Sequence, residues 1–326
     1  VVNLYPFKNT VEKGGEMSDI IENIDIGGPT LIRAAAKNFK DVAVITSHSD
    51  YLNVIEEMKS REGELTVETK YDLAVKAFAH TALYDGYISS YFSKVDHEGN
   101  EVHKTPEILN IQLQRKETLR YGENPHQSAS VYFDGTEPGG TLASAKQLNG
   151  KQLSFNNYMD LESAKNMVSD LDEPAVAIVK HTNPCGAATG KDVEEAYRKA
   201  LACDPVSAFG SIIAVNRELD RETALLMKEL FIEAVIAPRF SEEAIEIFKK
   251  KKNLRLIEAG DFAKCSGMDL EFKKISGGML IEETDRSIVT EKDLQFVTEK
   301  RPSPEQIREL LFAQNLVKHV KSNAVL

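Results

Sequence analysis

Residues 175–186 read AVAIVKHTNPCG. Ala175 to Val179 are apolar at every position, as expected of a β-strand buried on both faces. Such a strand belongs inside a layered α/β domain, with helices packed on each side. Lys180 and His181 come directly after it without a spacer. In open α/β sheets ligands bind beyond the carboxyl ends of strands, so the two side chains stand where chemistry is done. Imidazole, with a reference pKa of ~6.5, can accept a proton near neutrality. An ammonium beside it can stabilise a developing oxyanion. Asn183, Pro184 and Gly186 suit a rigid turn. The stretch reads equally as a solvated strand end with a polar turn. Cys185 reads as a small buried residue rather than a nucleophile.

The same alternation extends on both sides. Leu161, Ala164, Val168 and Leu171 form one helix stripe, and Val193, Ala196, Tyr197, Ala200 and Leu201 another. Ser211–Val215, Glu233–Ala237 and Leu254–Ile257 are further apolar strands. Ser241 to Lys252 reads as a helix with acids in its first turn and lysines in its last, matching the helix dipole. Ser303-Pro304-Glu305-Gln306 is a capping box that opens a helix. Strand–helix alternation of this kind predicts α/β layers around a largely parallel sheet. Nearer the start, Val42–Thr46 reads as a short strand, Ser49 as the cap of a helix, and Thr66–Ser93 as one long helix. A polar stretch from Asp96 to Thr105 reads as a linker, and a second region begins near Gln114.

Composition narrows the function classes. At roughly 150 residues per domain, 326 residues suggest two domains. Apolar residues are 42% and charged residues 28%, which is ordinary globular usage and not collagen or low-complexity chain. No apolar run approaches the ~20 residues of a membrane span. Forty Lys and Arg against 51 Asp and Glu give a net charge of −11, which argues against a nucleic-acid partner. The three cysteines, Cys185, Cys203 and Cys265, form no C-x-x-C pair, so a reducing cytoplasm is expected. His48, His80, His97, His103 and His319 lack metal-ligand spacing. The H-x-E with P-C-x-x-C of a zinc deaminase centre is absent.

Four further segments carry candidate chemistry. In LRYGENPHQ, Leu119 to Gln127, Arg120 can fork onto a phosphate; the segment also reads as an ordinary domain-opening loop. In DPVSAFGS, Asp204 to Ser211, Phe209 beside Gly210 can offer an aromatic edge to a flat ligand, or be core. The run Lys249–Lys252 reads as a solvated helix end. Asp25 reads as a helix cap, with Lys37 about three turns on and not made its neighbour by spacing.

Taken in order, NLYPF, IDIGG, LIRAAAKN, LRYGENPHQ, NGKQLSFNN, KHTNPCG, DPVSAFGS and VIAP resemble one family over essentially the whole chain. It is the bifunctional purine-biosynthesis family that joins 5-aminoimidazole-4-carboxamide ribonucleotide formyltransferase to inosine monophosphate cyclohydrolase. The resemblance implies that residues 1–113 are the later part of a cyclohydrolase domain, a methylglyoxal-synthase-like α/β layer. Residues 114–326 would be the N-terminal and central part of the formyltransferase domain, built from cytidine-deaminase-like α/β units without zinc. The chain opens on Val1 and stops in an apolar stretch, so it is expected to be a piece of a longer protein, with little activity alone.

The resemblance also implies roles. His181 would be the base of formyl transfer and Lys180 its electrostatic partner. Arg120 and Lys252 match phosphate ligands, and Tyr121, Asn157 and Asn323 match nucleotide-binding positions. Phe209 and Gly210 match the segment under the imidazole and folate rings. Glu233 falls where the family usually has an Asp on the ribose hydroxyls. Tyr5, Asp25 and Lys37 match the cyclohydrolase site, with Asp25 taking the carboxamide proton and Lys37 polarising the formyl oxygen. The co-substrate would be 10-formyltetrahydrofolate, no metal would be required, and a cytoplasmic homodimer is expected. The other reading is a non-catalytic nucleotide-binding or dimerisation piece.

Overall fold

A computed structural model describes residues 1–102, 105–135, 139–262, 270–321 and 323–324. His103 and Cys265 therefore lie outside the described residues. The chain divides into two compact units, Val1–Gln112 and Leu113–Leu326.

The first unit is helical among its described residues: α1 (Phe7–Glu12), α2 (Met17–Glu22), α3 (Gly27–Lys37), α4 (Tyr51–Ser60) and α5 (Val67–Phe92). Thr66 caps α5 by accepting the Thr69 N–H, and Leu73, Ala77, Thr81 and Tyr84 make its buried stripe. The strand expected at Val42–Thr46 does not form. A strand needs a ladder, and the one backbone bond joining this segment to the chain's start is Val2 N–H to Ile45 O, 3.1 Å. Ser47 rather than Ser49 caps the turn before α4, its hydroxyl accepting the Ser49 N–H.

The second unit holds β1 (Gln114–Leu119), β2 (Ala129–Phe133), β3 (Lys146–Asn149), α6 (Phe155–Ser169), β4 (Ala175–Lys180), β5 (Asn183–Thr189) and α7 (Val193–Cys203). Next come β6 (Ser211–Val215), α8 (Arg221–Met227), β7 (Ile232–Ala237), α9 (Glu242–Lys249), β8 (Arg255–Glu258), β9 (Leu270–Ile275), β10 (Gly278–Glu283) and α10 (Pro304–Val317). β1–β2 and β9–β10 are antiparallel pairs, and the other six strands form one sheet in the order β3-β8-β7-β6-β4-β5. Side chains alternate across that sheet. Val176 and Ile178 pack with α7, α8 and α9, whereas Ala175, Ala177 and Val179 pack with α6 and α10. Both faces are thus dry, which is why the Ala175–Val179 run is uninterrupted.

The largely parallel sheet expected from the sequence is instead mixed. β6–β7 and β7–β8 pair parallel, while β3–β8, β4–β5 and β4–β6 pair antiparallel. For β4 the difference comes from the strand that follows it. Asn183, Pro184 and Gly186 are not a turn but the start of β5, which folds straight back on β4. Pro184 is tolerated because β5 is the edge strand and the register shifts beside it. Gly186 is required there, since a Cβ on it would sit 2.0 Å from the Ala200 carbonyl oxygen of α7. β5, β6, β7 and β8 therefore all run one way, and β4 runs against them. The carboxyl end of β4 lies beside the amino ends of the other four.

At the opposite end of the sheet, Asn216 comes after β6 and is buried. Its Oδ1 accepts the Ala175 N–H at 2.8 Å, and its Nδ2 donates to the carbonyls of Leu171 (2.8 Å), Glu173 (2.9 Å) and Val168 (3.3 Å). One side chain thereby fastens the end of α6 to the start of β4.

Candidate active site

Only two residues, His181 and Thr182, join β4 to β5. Both have left-handed backbones, φ 54° and φ 60°. Consecutive positive φ values make a type I′ turn, which favours Asn-Gly. A β-branched threonine there is strained, at a cost of about 1–3 kcal/mol. The strain is held by neighbours. Asp160 Oδ1 accepts the Thr182 N–H at 2.6 Å, and Ser163 Oγ donates to the Thr182 carbonyl at 3.1 Å, both from α6. Asn183 Nδ2 donates to the His181 carbonyl at 3.1 Å. The imidazole of His181 is left exposed at the tip.

Lys180 crosses to the neighbouring strand, where its ammonium donates to the Phe209 carbonyl at 2.9 Å. Gly210 is next, with φ +76°, and its N–H donates to the Phe231 carbonyl at 2.8 Å. That kink brings the Phe209 and Phe231 rings to 5.1 Å between centroids, 38° apart in plane. Phe209 is 60% exposed and Phe231 51%. Two large aromatic rings left facing water together form a surface suited to a flat ligand. Cys185 is a poor nucleophile here, because burial pushes its thiol up.

Glu233, at the start of β7, shares this end of the sheet. Its Oε2 accepts from Arg255 Nη1 (3.0 Å) and Asn157 Nδ2 (3.3 Å). Asn157 is buried and doubly fixed, because it forms a capping box with Ser154 at the start of α6. Glu233, Phe231 and Arg255 border a cleft of about 590 Å³ whose other wall carries Lys151, Lys251 and Lys252. Lys251 donates to the Leu230 carbonyl at 2.8 Å, and burial lowers its pKa from the usual lysine value. Lys252 is exposed at the rim.

Arg120 lies just past β1, its guanidinium 5.5 Å from the centre of the Tyr121 ring. Gln152 ties that strand to the cleft: its side chain donates to the Thr118 carbonyl at 3.0 Å while its own carbonyl accepts from Arg255 at 3.4 Å. Tyr158 packs below, donating to Glu117 at 2.5 Å; burial first and Glu117 second push its hydroxyl pKa up.

His319, four residues before Asn323, is held by Asp170 at 2.6 Å, at the far end of α6. Asn157 stands at the other end, roughly 20 Å away at 1.5 Å per helical residue.

In the first unit, Asp25 caps α3. Its Oδ1 accepts the Gly28 N–H at 2.7 Å and its Oδ2 the Tyr5 N–H at 3.3 Å. Tyr84 locks the corner, accepting the Asp25 N–H at 2.8 Å and donating to the Asn23 carbonyl at 3.0 Å. Tyr5 and Asp25 are thus together. Lys37 is at the other end of α3, roughly 15 Å along the axis.

Three contributors were not singled out from the sequence: Phe231, Arg255 and Asp160. Each acts through a partner 22 residues away, a separation that no local spacing rule reads. Placement at the carboxyl end of a strand holds for β4 alone, since the site faces the amino ends of β5 to β8. The carboxyl ends of β6 and β7 border a second cleft of about 530 Å³. There Arg217 is spent on the Asn216 and Asp172 carbonyls, and Asp172, Glu218 and Asp261 oppose an anion. Among the described residues no three His, Cys, Asp or Glu side chains gather as metal ligands.

A family model described as the AICARFT/IMPCHase bienzyme matches residues 35–326. The chain belongs to this family. AICARFT/IMPCHase bienzymes catalyse the last two steps of de novo purine biosynthesis, so this is an enzyme with formyltransferase and cyclohydrolase activity. Its substrates are a nucleotide and a folate-type co-substrate. The match includes Lys37 and every candidate residue of the second unit; Tyr5 and Asp25 precede it. Among the described residues no helix is long and apolar enough to cross a membrane.

Proposed function

We propose that residues 114–326 carry the formyl-transfer site and residues 1–113 part of the cyclohydrolase site. The observation that supports this most is the convergence of Lys180, His181, Phe209, Gly210, Asn157 and Glu233 on one end of one sheet, next to a lysine-lined cleft. The donor would be 10-formyltetrahydrofolate, which supplies an electrophilic formyl carbon. The exocyclic amine of the imidazole nucleotide is a poor nucleophile, because its lone pair is delocalised into the ring and carboxamide. It must lose a proton as it attacks, and His181 is the exposed base for that step. Lys180 stands next in the chain and steadies the negative charge that develops on the formyl oxygen. The Phe209–Phe231 surface receives the flat rings, and Glu233 Oε1 takes the ribose hydroxyls while Oε2 stays with Asn157 and Arg255.

The finer fold assignments belong to the same reading: a methylglyoxal-synthase-like first unit and a cytidine-deaminase-like second unit that works without zinc, in a cytoplasmic homodimer. For ring closure, Tyr5 and Asp25 form the pair that meets substrate. Lys37 would act from the far end of α3 and so on a different part of it. The protein as the cell makes it, once purified, is expected to formylate the nucleotide only when the folate donor is supplied. Formylation without it would favour a folate-independent nucleotide enzyme instead.

Removing Arg120 or Lys252 should weaken the nucleotide more than its dephosphorylated nucleoside, by roughly 1.5–3 kcal/mol for each charge-assisted contact. Equal losses for both ligands, measured by calorimetry, would return Lys252 to a solvated helix end. Formyl transfer should also survive a strong chelator; loss that zinc restores would overturn the metal-free reading.

A further inference from the structure

We infer that Asp160 is the positioning residue for His181, and that α6 is the ruler that sets the base against the nucleotide. This rests on the reading of His181 as the base. Two observations carry it. The first is the turn itself: His181 and Thr182 both sit at positive φ, a conformation that neither side chain favours. A two-residue turn of this kind stays put only if its surroundings over-determine it. The second is the origin of that restraint. Thr182 is gripped at both its peptide groups from α6, with its N–H on Asp160 Oδ1 at 2.6 Å and its carbonyl on Ser163 Oγ at 3.1 Å. One turn earlier, the same helix holds Glu233 through Asn157. A single rigid element therefore fixes the base at one point and the ribose carboxylate at another.

Asp160 touches no reacting atom, so its effect is on geometry. A displacement of about 1 Å at a reacting group costs about 100-fold in rate. Asp160→Ala in the protein as the cell makes it should lower kcat by about 10- to 100-fold and leave the nucleotide KM within about twofold. Asp160→Asn keeps an acceptor for the Thr182 N–H and should recover most of the loss. Thr182→Gly relieves the positive-φ strain, so Asp160→Ala should cost less in that background. A merely structural Asp160 would lower the melting temperature and leave kcat per folded molecule unchanged in all three variants. That result overturns the inference, as does an Asp160→Asn variant no better than Asp160→Ala. His181→Ala, measured alongside, separates the two ideas: retained turnover there removes the base itself, whereas lost turnover there with a normal Asp160→Ala removes only the ruler.

Discussion

Replacing His181 by alanine should lower the formyl-transfer rate by about 10²–10⁴-fold, the range a positioned general base contributes. The loss should fall on kcat. The imidazole is exposed at the tip of the β4–β5 turn and none of the described residues holds it; as the proposed base it would work only at the moment the amine gives up its proton. A group used only in the transition state lowers kcat and kcat/KM together and leaves ground-state binding nearly intact. Nucleotide affinity of the variant should therefore stay within a few-fold of the parent. The fold should also survive, because the turn is held through the peptide groups of Thr182 and not through the His181 ring. Single-turnover kinetics beside a binding isotherm decide the matter. Near-normal turnover, or a loss of affinity that matches the loss of rate, would sink the assignment.

Asn216→Ala should destabilise the second unit by about 2–4 kcal/mol, since it leaves one buried and two part-buried backbone groups without their partner, at about 1–3 kcal/mol for a buried one. The Ala175 N–H would lose its acceptor, and the carbonyls of Leu171 and Glu173 would lose their shared donor. The bonds to Leu171 and Glu173 are only partly buried, which keeps the figure below the sum of the separate losses. Against a typical stability of about 5–15 kcal/mol, that is a large fraction. Urea unfolding should show a lowered midpoint with an unchanged slope. A shift under about 1 kcal/mol would mean that the corner rearranges to pair those groups in another way.

The legible part of the fold is the part with a one-residue or helical period. β4, β6, β7 and β8 are apolar on both faces, so their runs stand out, and the stripes of α6 and α7 lie where the 3.6-residue spacing puts them. β5 was hidden because Asn183-Pro184 has the chemistry of a turn, and only the packing of Gly186 against Ala200 makes it a strand. β1, β9 and β10 escaped for the opposite reason: their positions are largely exposed and carry no burial pattern to detect. At the candidate site, the sequence points to Lys180, His181 and Phe209 because residues at the ends of buried strands emerge into solvent. It does not point to Arg255 or Asp160, because each owes its role to a hydrogen bond across the sheet or from a helix.

The close approach of Gly186 to α7 has a consequence for how this corner can vary. Ligand-binding loops usually tolerate insertions and deletions, and enzymes change their substrate range that way. Here the loop is two residues long, and the strand behind it is pinned in register by a glycine that admits no side chain. One residue added between Lys180 and Asn183 must either lengthen the turn, which swings His181 off α6, or slide β5 by one position. Because strand side chains alternate faces, a slide puts a Cβ where only hydrogen fits. The corner that holds His181 is thus closed to changes in length, and any drift in what it binds has to come from substitutions around it.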